Sequence, residues 1–140
     1  MANTSNVSQP EYELAIDKNV DVQARDGAIV KADVYRPNDA GRFPALINIG
    51  AYQKDKVWIP PADLEETPNQ YINWETVNPR WWVPRGYAAV RVDTRGSGKS
   101  PGQTDPFSLQ GWTSTMPSSG RRTGRGATVR LQPWASPISQ

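Results

Sequence analysis

The segment from Gly86 to Ser100, GYAAVRVDTRGSGKS, restricts the fold of this chain more than any other. Residues 87–92 have strand-forming character, end at Asp93 and pass into a turn that contains Gly96 and Gly98. A short apolar run that ends in a glycine-supplied turn is typical of a buried strand in an α/β sheet. We therefore expect the function of the chain to be built around this junction.

The chain contains neither Cys nor His among its 140 residues. The absence of Cys excludes a disulfide framework, a thiolate metal site and a cysteine nucleophile. The absence of His excludes a complete Ser-His-Asp triad within these residues. No cofactor or metal is expected, and no apolar run approaches the ~18 residues of a membrane span. We expect a soluble, cytoplasmic protein with no membrane partner.

Charge and amino-acid composition change along the chain. The net charge is +2, but all 14 acidic residues lie within residues 1–105, and residues 106–140 carry four Arg and no Asp or Glu. This tail is rich in Gly, Ser, Thr, Arg and Pro and has neither helical nor strand periodicity. The pattern predicts a flexible lead-in over residues 1–12, a folded portion over 13–109 and a disordered tail over 110–140.

Alternating apolar and polar residues predict an antiparallel hairpin near the N-terminus. Residues 19–24 and 29–35 alternate, and Arg25-Asp26-Gly27 supplies the turn between them. The apolar run 45–49, ALINI, is typical of a strand that is buried in a parallel sheet. The sequence thus predicts a hairpin followed by parallel strands in an α/β fold.

The glycine-rich turn allows one nucleotide-binding interpretation. A phosphate-binding P-loop requires Gly-x-x-x-x-Gly-Lys-Ser/Thr after a strand, and Gly98-Lys99-Ser100 satisfies the end of that pattern. Asp93 occupies the position of the first Gly, where it would place a carboxylate near the phosphate. Pro101-Gly102 follows where a helix should begin. This P-loop-like binder at 93–100 remains an alternative.

Six short motifs follow one another along residues ~13 to 109. They are Arg25-Asp26-Gly27, Ala32 to Pro37, Phe43-Pro44-Ala45, Ala51 to Lys54, Arg85-Gly86-Tyr87 and Asp93 to Ser100. Their order and separations resemble the α/β-hydrolase superfamily and, more narrowly, the X-prolyl dipeptidyl-peptidase and cocaine-esterase (CocE/NonD) family. This hydrolase interpretation accounts for more of the sequence than the P-loop does.

The resemblance implies a fold and an activity. The fold would be the incomplete N-terminal part of an α/β-hydrolase sheet, and the parent a serine hydrolase that cleaves small ester or peptide substrates (X-Pro dipeptidyl or acyl) through an acyl-enzyme. Tyr52 stands where the family has the Tyr of Pro-Tyr-x-Lys, whose hydroxyl belongs to the oxyanion hole. Asp93, Arg95, Gly96 and Gly98 would be structural residues of the turn.

The sequence departs from the family after residue 109. The family continues with a Trp-containing helix, then Pro-Trp-Ser-Asn-Gly-Lys-Val and a nucleophile elbow, Gly-x-Ser-Tyr, and none of these is legible here. We therefore expect this chain to be a truncated serine hydrolase without Ser-Asp-His and to be inactive by itself.

The genetic code offers an explanation for the tail. The reading frame can be shifted so that each new codon takes the last base of one codon and the first two bases of the next. In this frame Trp112-Thr113 forces Asp, Met116-Pro117 forces Ala and Trp134-Ala135 forces Gly. Elsewhere one permitted choice of codons spells the missing family sequence, including Gly-Ile-Ser-Tyr. We expect a frameshift or misplaced splice boundary near residues 110–112. The alternative is a basic arm for nucleic acid, which Arg121-Arg122 and Arg125-Gly126 support weakly.

Overall fold

The computed structural model describes residues 8–24, 26–50, 52–56, 62–63 and 69–104. The four strands are β1 (Leu14–Gln23), β2 (Ile29–Pro37), β3 (Ala45–Gly50) and β4 (Ala88–Asp93). They form one sheet in the order β1-β2-β4-β3. Strand β2 runs antiparallel to both β1 and β4, whereas β3 and β4 are parallel. The predicted mixed sheet is confirmed, and the predicted tail over 110–140 lies outside the described residues.

The N-terminal hairpin forms where the alternation predicts it. Its turn is closed by a hydrogen bond from the Ala24 amide to the Ala28 carbonyl at 2.8 Å, and Gly27 has φ 87°. Strand β1 is longer than predicted: it begins at Leu14, whereas the alternation predicted a start at residue 19. Its register shifts between Asp17 and Val20, and this bulge breaks the period of two on which the sequence prediction depended.

Each face of the sheet carries a buried apolar cluster. The larger cluster consists of five buried residues from the two central strands, namely Val30, Ala32, Val34, Val90 and Val92. Full burial of a Val side chain contributes roughly 1.5 kcal/mol or more. All six residues of β4 are buried because the strand has a neighbour on each side. The core therefore depends on the same strand that leads to the glycine-rich turn.

A buried arginine connects the opposite face to the long loop before β4. Arg91 donates hydrogen bonds to the carbonyl oxygens of Tyr71 at 2.5 Å and Val77 at 3.1 Å. Its guanidinium lies 5.0 Å from the centroid of the Tyr35 ring, a cation–π distance. Burial lowers the pKa of Arg91 below its ordinary value. The charge is retained because guanidinium does not deprotonate in proteins.

A short helix leads the chain into β4. Helix α1 (Pro79–Trp82) is capped by the Asn78 side chain, which accepts from the Arg80 amide, and a 3₁₀ turn (Val83–Arg85) follows. Gly86 ends this segment with φ 83°, a left-handed conformation that favours glycine. No helix in the described part of the chain is long and apolar enough to cross a membrane.

The segment that precedes β1 contacts this helical turn. The backbone amides of Glu11 and Tyr12, within the predicted lead-in, donate to the Pro84 carbonyl at 2.7 and 3.1 Å. The Tyr12 ring packs edge-on against Phe43 at 5.1 Å between centroids. Two residues of the predicted lead-in are thus bound to the folded part of the chain.

Candidate active site

Two loops leave the sheet side by side at the carboxyl ends of its parallel strands. Gly50 of β3 is paired with Asp93 of β4, so the segments after them begin at the same edge. We call residues 52–56 the Tyr52 loop and residues 94–104 the glycine turn. In open α/β sheets, ligands bind in the crevice outside the carboxyl ends of the strands. These two loops therefore define the candidate site.

Asp93 joins the two loops. Its side chain is fully buried, and each carboxylate oxygen accepts one backbone hydrogen bond: Oδ1 from Lys54 at 2.7 Å and Oδ2 from Lys99 at 2.9 Å. Its own carbonyl oxygen accepts from the Ser100 hydroxyl at 2.7 Å. A buried carboxylate that accepts two N–H bonds is well compensated for its loss of water. Asp93 thus fixes where both loops begin.

The glycine turn folds back on itself and leaves no room for side chains at two positions. Gly96 has φ 69° and Gly98 has φ 54°. A Cβ atom at Gly98 would overlap the Asp93 carboxylate, and one at Gly96 would overlap the backbone of residues 102–104. The turn is closed by the Thr104 hydroxyl, which donates to the Gly96 carbonyl at 2.5 Å.

The P-loop alternative fails on this geometry. In a P-loop the Lys99 amide would face a phosphate, but here it donates to the Asp93 carboxylate. The Ser100 hydroxyl donates to the Asp93 carbonyl oxygen and accepts from the Lys31 amide at 2.8 Å. No helix begins between Ser100 and Thr104, the last described residue. The Asp93 carboxylate occupies the position that a phosphate would take in a P-loop, so the segment 93–100 does not form a phosphate-binding loop.

Arg95 ties the glycine turn to the N-terminal hairpin. Its Nη2 atom lies 2.5 Å from the Asp26 carboxylate, and this hydrogen bond lowers the pKa of Asp26. Both side chains are partly exposed, so the pair contributes little stability. Arg25, which precedes Asp26 in the predicted turn, lies outside the described residues.

Tyr52 presents its ring to solvent at the carboxyl end of β3. The residue is 54% exposed, and its ring packs edge-on against Trp74 at 6.4 Å between centroids. It lies in the Tyr52 loop that Asp93 holds through Lys54. Ala51, the first residue of the quoted motif, lies outside the described residues. The structure thus places an accessible phenol at the carboxyl end of the sheet, where open α/β sheets bind ligands.

A buried ion network includes Lys54, which follows Tyr52 by two residues in the same loop. The side chains of Lys54 and Asp33 are fully buried and 3.0 Å apart. Lys18 pairs with both Asp33 and Asp55, and Lys54 also contacts Asp55 at 3.0 Å. Partial burial raises the pKa of Asp55, but its hydrogen bonds to Lys54 and Lys18 outweigh this and lower it to about 2.

The same network changes the titration of its outer lysine. Partial burial by itself lowers the pKa of Lys18, but hydrogen bonds to Asp33 and Asp55 raise it above its ordinary value. Among the described residues, no group of three or more His, Cys, Asp or Glu side chains could hold a metal ion. The ion pairs of Lys18 and Lys54 join β1, β2 and the Tyr52 loop.

Lys54 belongs to one of the family-like motifs, but its role and that of Asp33 were not predicted from the sequence. Two signals were available. One is the acidic residue Asp33 inside a strand whose neighbours are apolar, and the other is the break in alternation at Lys18 and Asn19. A charge in a buried strand requires a partner, although the sequence alone does not say which one.

Comparison with known proteins agrees with this geometry. The chain is 33% identical over 94 residues to cocaine esterase from Rhodococcus sp. (strain MB1 Bresler), covering 66% of this chain and 14% of the esterase. Two solved structures of a CocE/NonD family hydrolase from Staphylococcus aureus superpose with TM-scores of 0.62 and 0.63 at 32% and 31% identity. Each covers 73% of this chain and 19% of the hydrolase.

These relatives are several times longer than the aligned segment, so the chain spans less than a fifth of their length. The resemblance that the motifs indicated is confirmed, and so is the incomplete α/β-hydrolase sheet. The sequence also matches the family described as X-Pro dipeptidyl-peptidase (S15 family) over residues 26–117. Since that match covers most of the chain and agrees with both relatives, the chain belongs to the X-Pro dipeptidyl-peptidase (S15) family.

Proposed function

We propose that this chain carries the oxyanion-stabilising part of a serine hydrolase that cleaves small ester or peptide substrates, with Tyr52 as the donor. The observation that carries the proposal is the position of Tyr52: its phenol is accessible at the carboxyl end of β3, and Asp93 holds the loop beneath it. We place this activity in the cytoplasm, as the sequence predicts.

The chemistry explains why a phenol suits this position. When a serine attacks the carbonyl carbon of an ester or amide, negative charge develops on the carbonyl oxygen. A Tyr hydroxyl, with an unperturbed pKa of ~10, is protonated at neutral pH and can donate to that oxygen. Loss of one such donor typically costs about 10²–10³-fold in kcat. The Tyr52 hydroxyl would be one donor of the oxyanion hole. The second donor would be the backbone N–H of the residue that follows the nucleophilic serine.

The role of Tyr52 is tested in a chimera in which residues 8–104 replace the aligned segment of the S. aureus hydrolase. We expect Tyr52→Phe to lower kcat for a p-nitrophenyl ester by about 100-fold with little change in KM, because the donor acts in the transition state. Tyr12→Phe, which changes a ring packed on Phe43, is the matched control. An unchanged kcat for Tyr52→Phe would contradict the proposal.

By itself the 140-residue chain should not hydrolyse these substrates, because it has no His to activate a serine. A fluorophosphonate probe reacts with activated serines, so the purified chain should remain unlabelled while the S. aureus hydrolase is labelled. Covalent labelling of a serine in this chain would overturn this part of the proposal.

We also propose that the coding sequence changes frame near residues 110–112. The three forced codons within residues 112–135 support this proposal. Sequencing of the genomic DNA and transcript should reveal Gly-Ile-Ser-Tyr in the shifted frame, followed by the remainder of a hydrolase. Codons that cannot spell this motif would refute the frame change and leave the role of Tyr52 intact.

A further inference from the structure

Lys54 has an unusual environment for a lysine in a loop. Its side chain is fully buried, and its ammonium lies within hydrogen-bond distance of three acceptors: Asn19 Oδ1 at 2.7 Å, Asp33 Oδ1 at 3.0 Å and Asp55 Oδ2 at 3.0 Å. An ammonium has three hydrogens to donate, so its donors are matched by acceptors. These acceptors belong to β1, β2 and the Tyr52 loop, which Lys54 therefore holds together.

The main chain of Lys54 is held as firmly as its side chain. Its amide donates to Asp93 Oδ1 at 2.7 Å, and its carbonyl oxygen accepts from Asn73 Nδ2 at 3.1 Å. The same Asn73 nitrogen lies 3.1 Å from the Gln53 carbonyl oxygen. Gln53 has φ 62°, a strained conformation for a residue with a side chain. The bonds of Lys54 and Asn73 oppose the relaxation of that strain.

Tyr52 has few constraints of its own. It is more than half exposed and packs edge-on against Trp74, so burial contributes little to fixing its ring. Its position consequently depends on the backbone two residues further along. An oxyanion donor must lie within a few tenths of an ångström of its working position to be effective.

We propose that Lys54 is the positioning residue for Tyr52, holding the phenol in place through bonds to β1, β2 and Asp93. The catalytic consequence rests on the proposed function, but the positioning itself does not. It can be measured in the chain without any turnover. Lys54→Met is the informative change because methionine has similar length and no charge.

Lys18→Met is the matched control. Lys18 pairs with the same two carboxylates, Asp33 and Asp55, but it is 48% exposed and lies outside the Tyr52 loop. The readout is the ¹⁹F NMR spectrum of the full-length chain labelled with 3-fluorotyrosine, in which Tyr52→Phe identifies the Tyr52 resonance. The neighbouring Trp74 ring should shift that resonance away from the value of free 3-fluorotyrosine.

We expect Lys54→Met to remove most of this shift and to narrow the resonance, because the ring becomes mobile. Lys18→Met should retain the shift. Equal effects of the two variants, or no effect of Lys54→Met, would overturn the inference. The other four tyrosines report whether a variant remains folded.

If Lys54→Met fails to fold, a milder pair of variants decides the matter. Asn73→Ala removes the bonds to the carbonyls of Gln53 and Lys54 and also the acceptor of the Trp74 amide. Asn48→Ala removes a bond to the Glu75 carbonyl, next to Trp74 in sequence but outside the Tyr52 loop, and so controls for displacement of the Trp74 backbone. We expect partial loss of the shift in Asn73→Ala and none in Asn48→Ala. Indistinguishable spectra would again refute positioning. Unchanged kcat for Tyr52→Phe in the chimera would refute the proposed function instead.

Discussion

The Tyr52 loop and the glycine turn leave the same edge of the sheet and share Asp93, yet they are built in different ways. The glycine turn adopts left-handed backbone at Gly96 and Gly98, where a Cβ atom has no space. The Tyr52 loop adopts left-handed backbone at Gln53 and is held by a buried lysine. One loop depends on the absence of side chains and the other on a charged side chain.

The difference shows where each loop obtains its rigidity. The bonds that close the glycine turn lie mainly within residues 93–104. The Tyr52 loop draws its bonds from residues that are far away in sequence, such as Asn19, Asp33 and Asn73. A loop of the second kind places an exposed side chain accurately but depends on the whole sheet being formed.

The strongest test of the comparison is Gly98→Ala. The substitution adds left-handed strain of about 1–2 kcal/mol and a Cβ that overlaps the Asp93 carboxylate. We expect the free energy of unfolding in urea to fall by about 3 kcal/mol or more. Gly27→Ala is the control, since Gly27 has φ 87° and nothing within 4 Å, and it should cost only the strain. Equal losses would show that the overlap is relieved cheaply.

Asp93→Asn tests the residue that both loops share. Asparagine keeps the shape but offers one acceptor oxygen, so its NH₂ group must face the amide of Lys54 or Lys99. We expect a loss of about 2–3 kcal/mol in the free energy of unfolding. Asp39→Asn, at an exposed turn where Asn accepts the same Gly41 bond, should have almost no effect. A small loss at Asp93 would mean that another donor arrangement is available.

Gln53→Gly should raise the free energy of unfolding, whereas Gly98→Ala and Asp93→Asn should lower it. Removal of the side chain relieves left-handed strain at φ 62°, although glycine also gains freedom in the unfolded chain. We expect a net stabilisation of about 0.5 kcal/mol in urea denaturation. Gln23→Gly at the end of β1 is the control and should destabilise the protein, because strand backbone gives glycine no advantage. Destabilisation at both positions would show that Gln53 is not strained.

The smallest effect concerns pH. Because the pKa of Asp55 falls from its ordinary 3.8 to about 2 in the folded chain, its contribution to stability is complete above pH 3.8. The contribution should be lost as the pH falls from about 4 to 2. Since the side chain is 37% exposed, we expect only about 0.3 kcal/mol after solvent screening. Asp55→Asn should reduce this pH dependence in urea denaturation, whereas Asp39→Asn should leave it unchanged.

The sequence predicted the parts of this site that depend on local geometry. The hairpin turn at Asp26-Gly27 and the glycine turn after β4 follow from residues with special backbone preferences, and both are found. The start of β1 was missed because the bulge at residues 17–20 interrupts its alternation. Periodicity describes a regular strand and cannot anticipate an inserted residue.

The ion network could not have been predicted in the same way. Its bonds connect Lys54 to residues 35 and 21 positions earlier, Asn19 and Asp33, and no local pattern encodes such a separation. The order β1-β2-β4-β3 is also a tertiary property, because it inserts β4 between strands that precede it. Motif resemblance located Tyr52, but the bonds that hold its loop come from residues distant in sequence and have no local signal.

The bulge in β1 has a further consequence for association between molecules. In the described sheet, β1 is a terminal strand, and a regular terminal strand invites pairing with a strand of another chain. The left-handed Asn19 at φ 55° interrupts the ladder and turns its amide inward to Asp33 at 2.9 Å. Strand β1 therefore does not offer a continuous row of backbone donors and acceptors to a strand of another molecule. Asn19, which also accepts a hydrogen bond from Lys54, thus protects the β1 edge of the sheet against pairing with another chain.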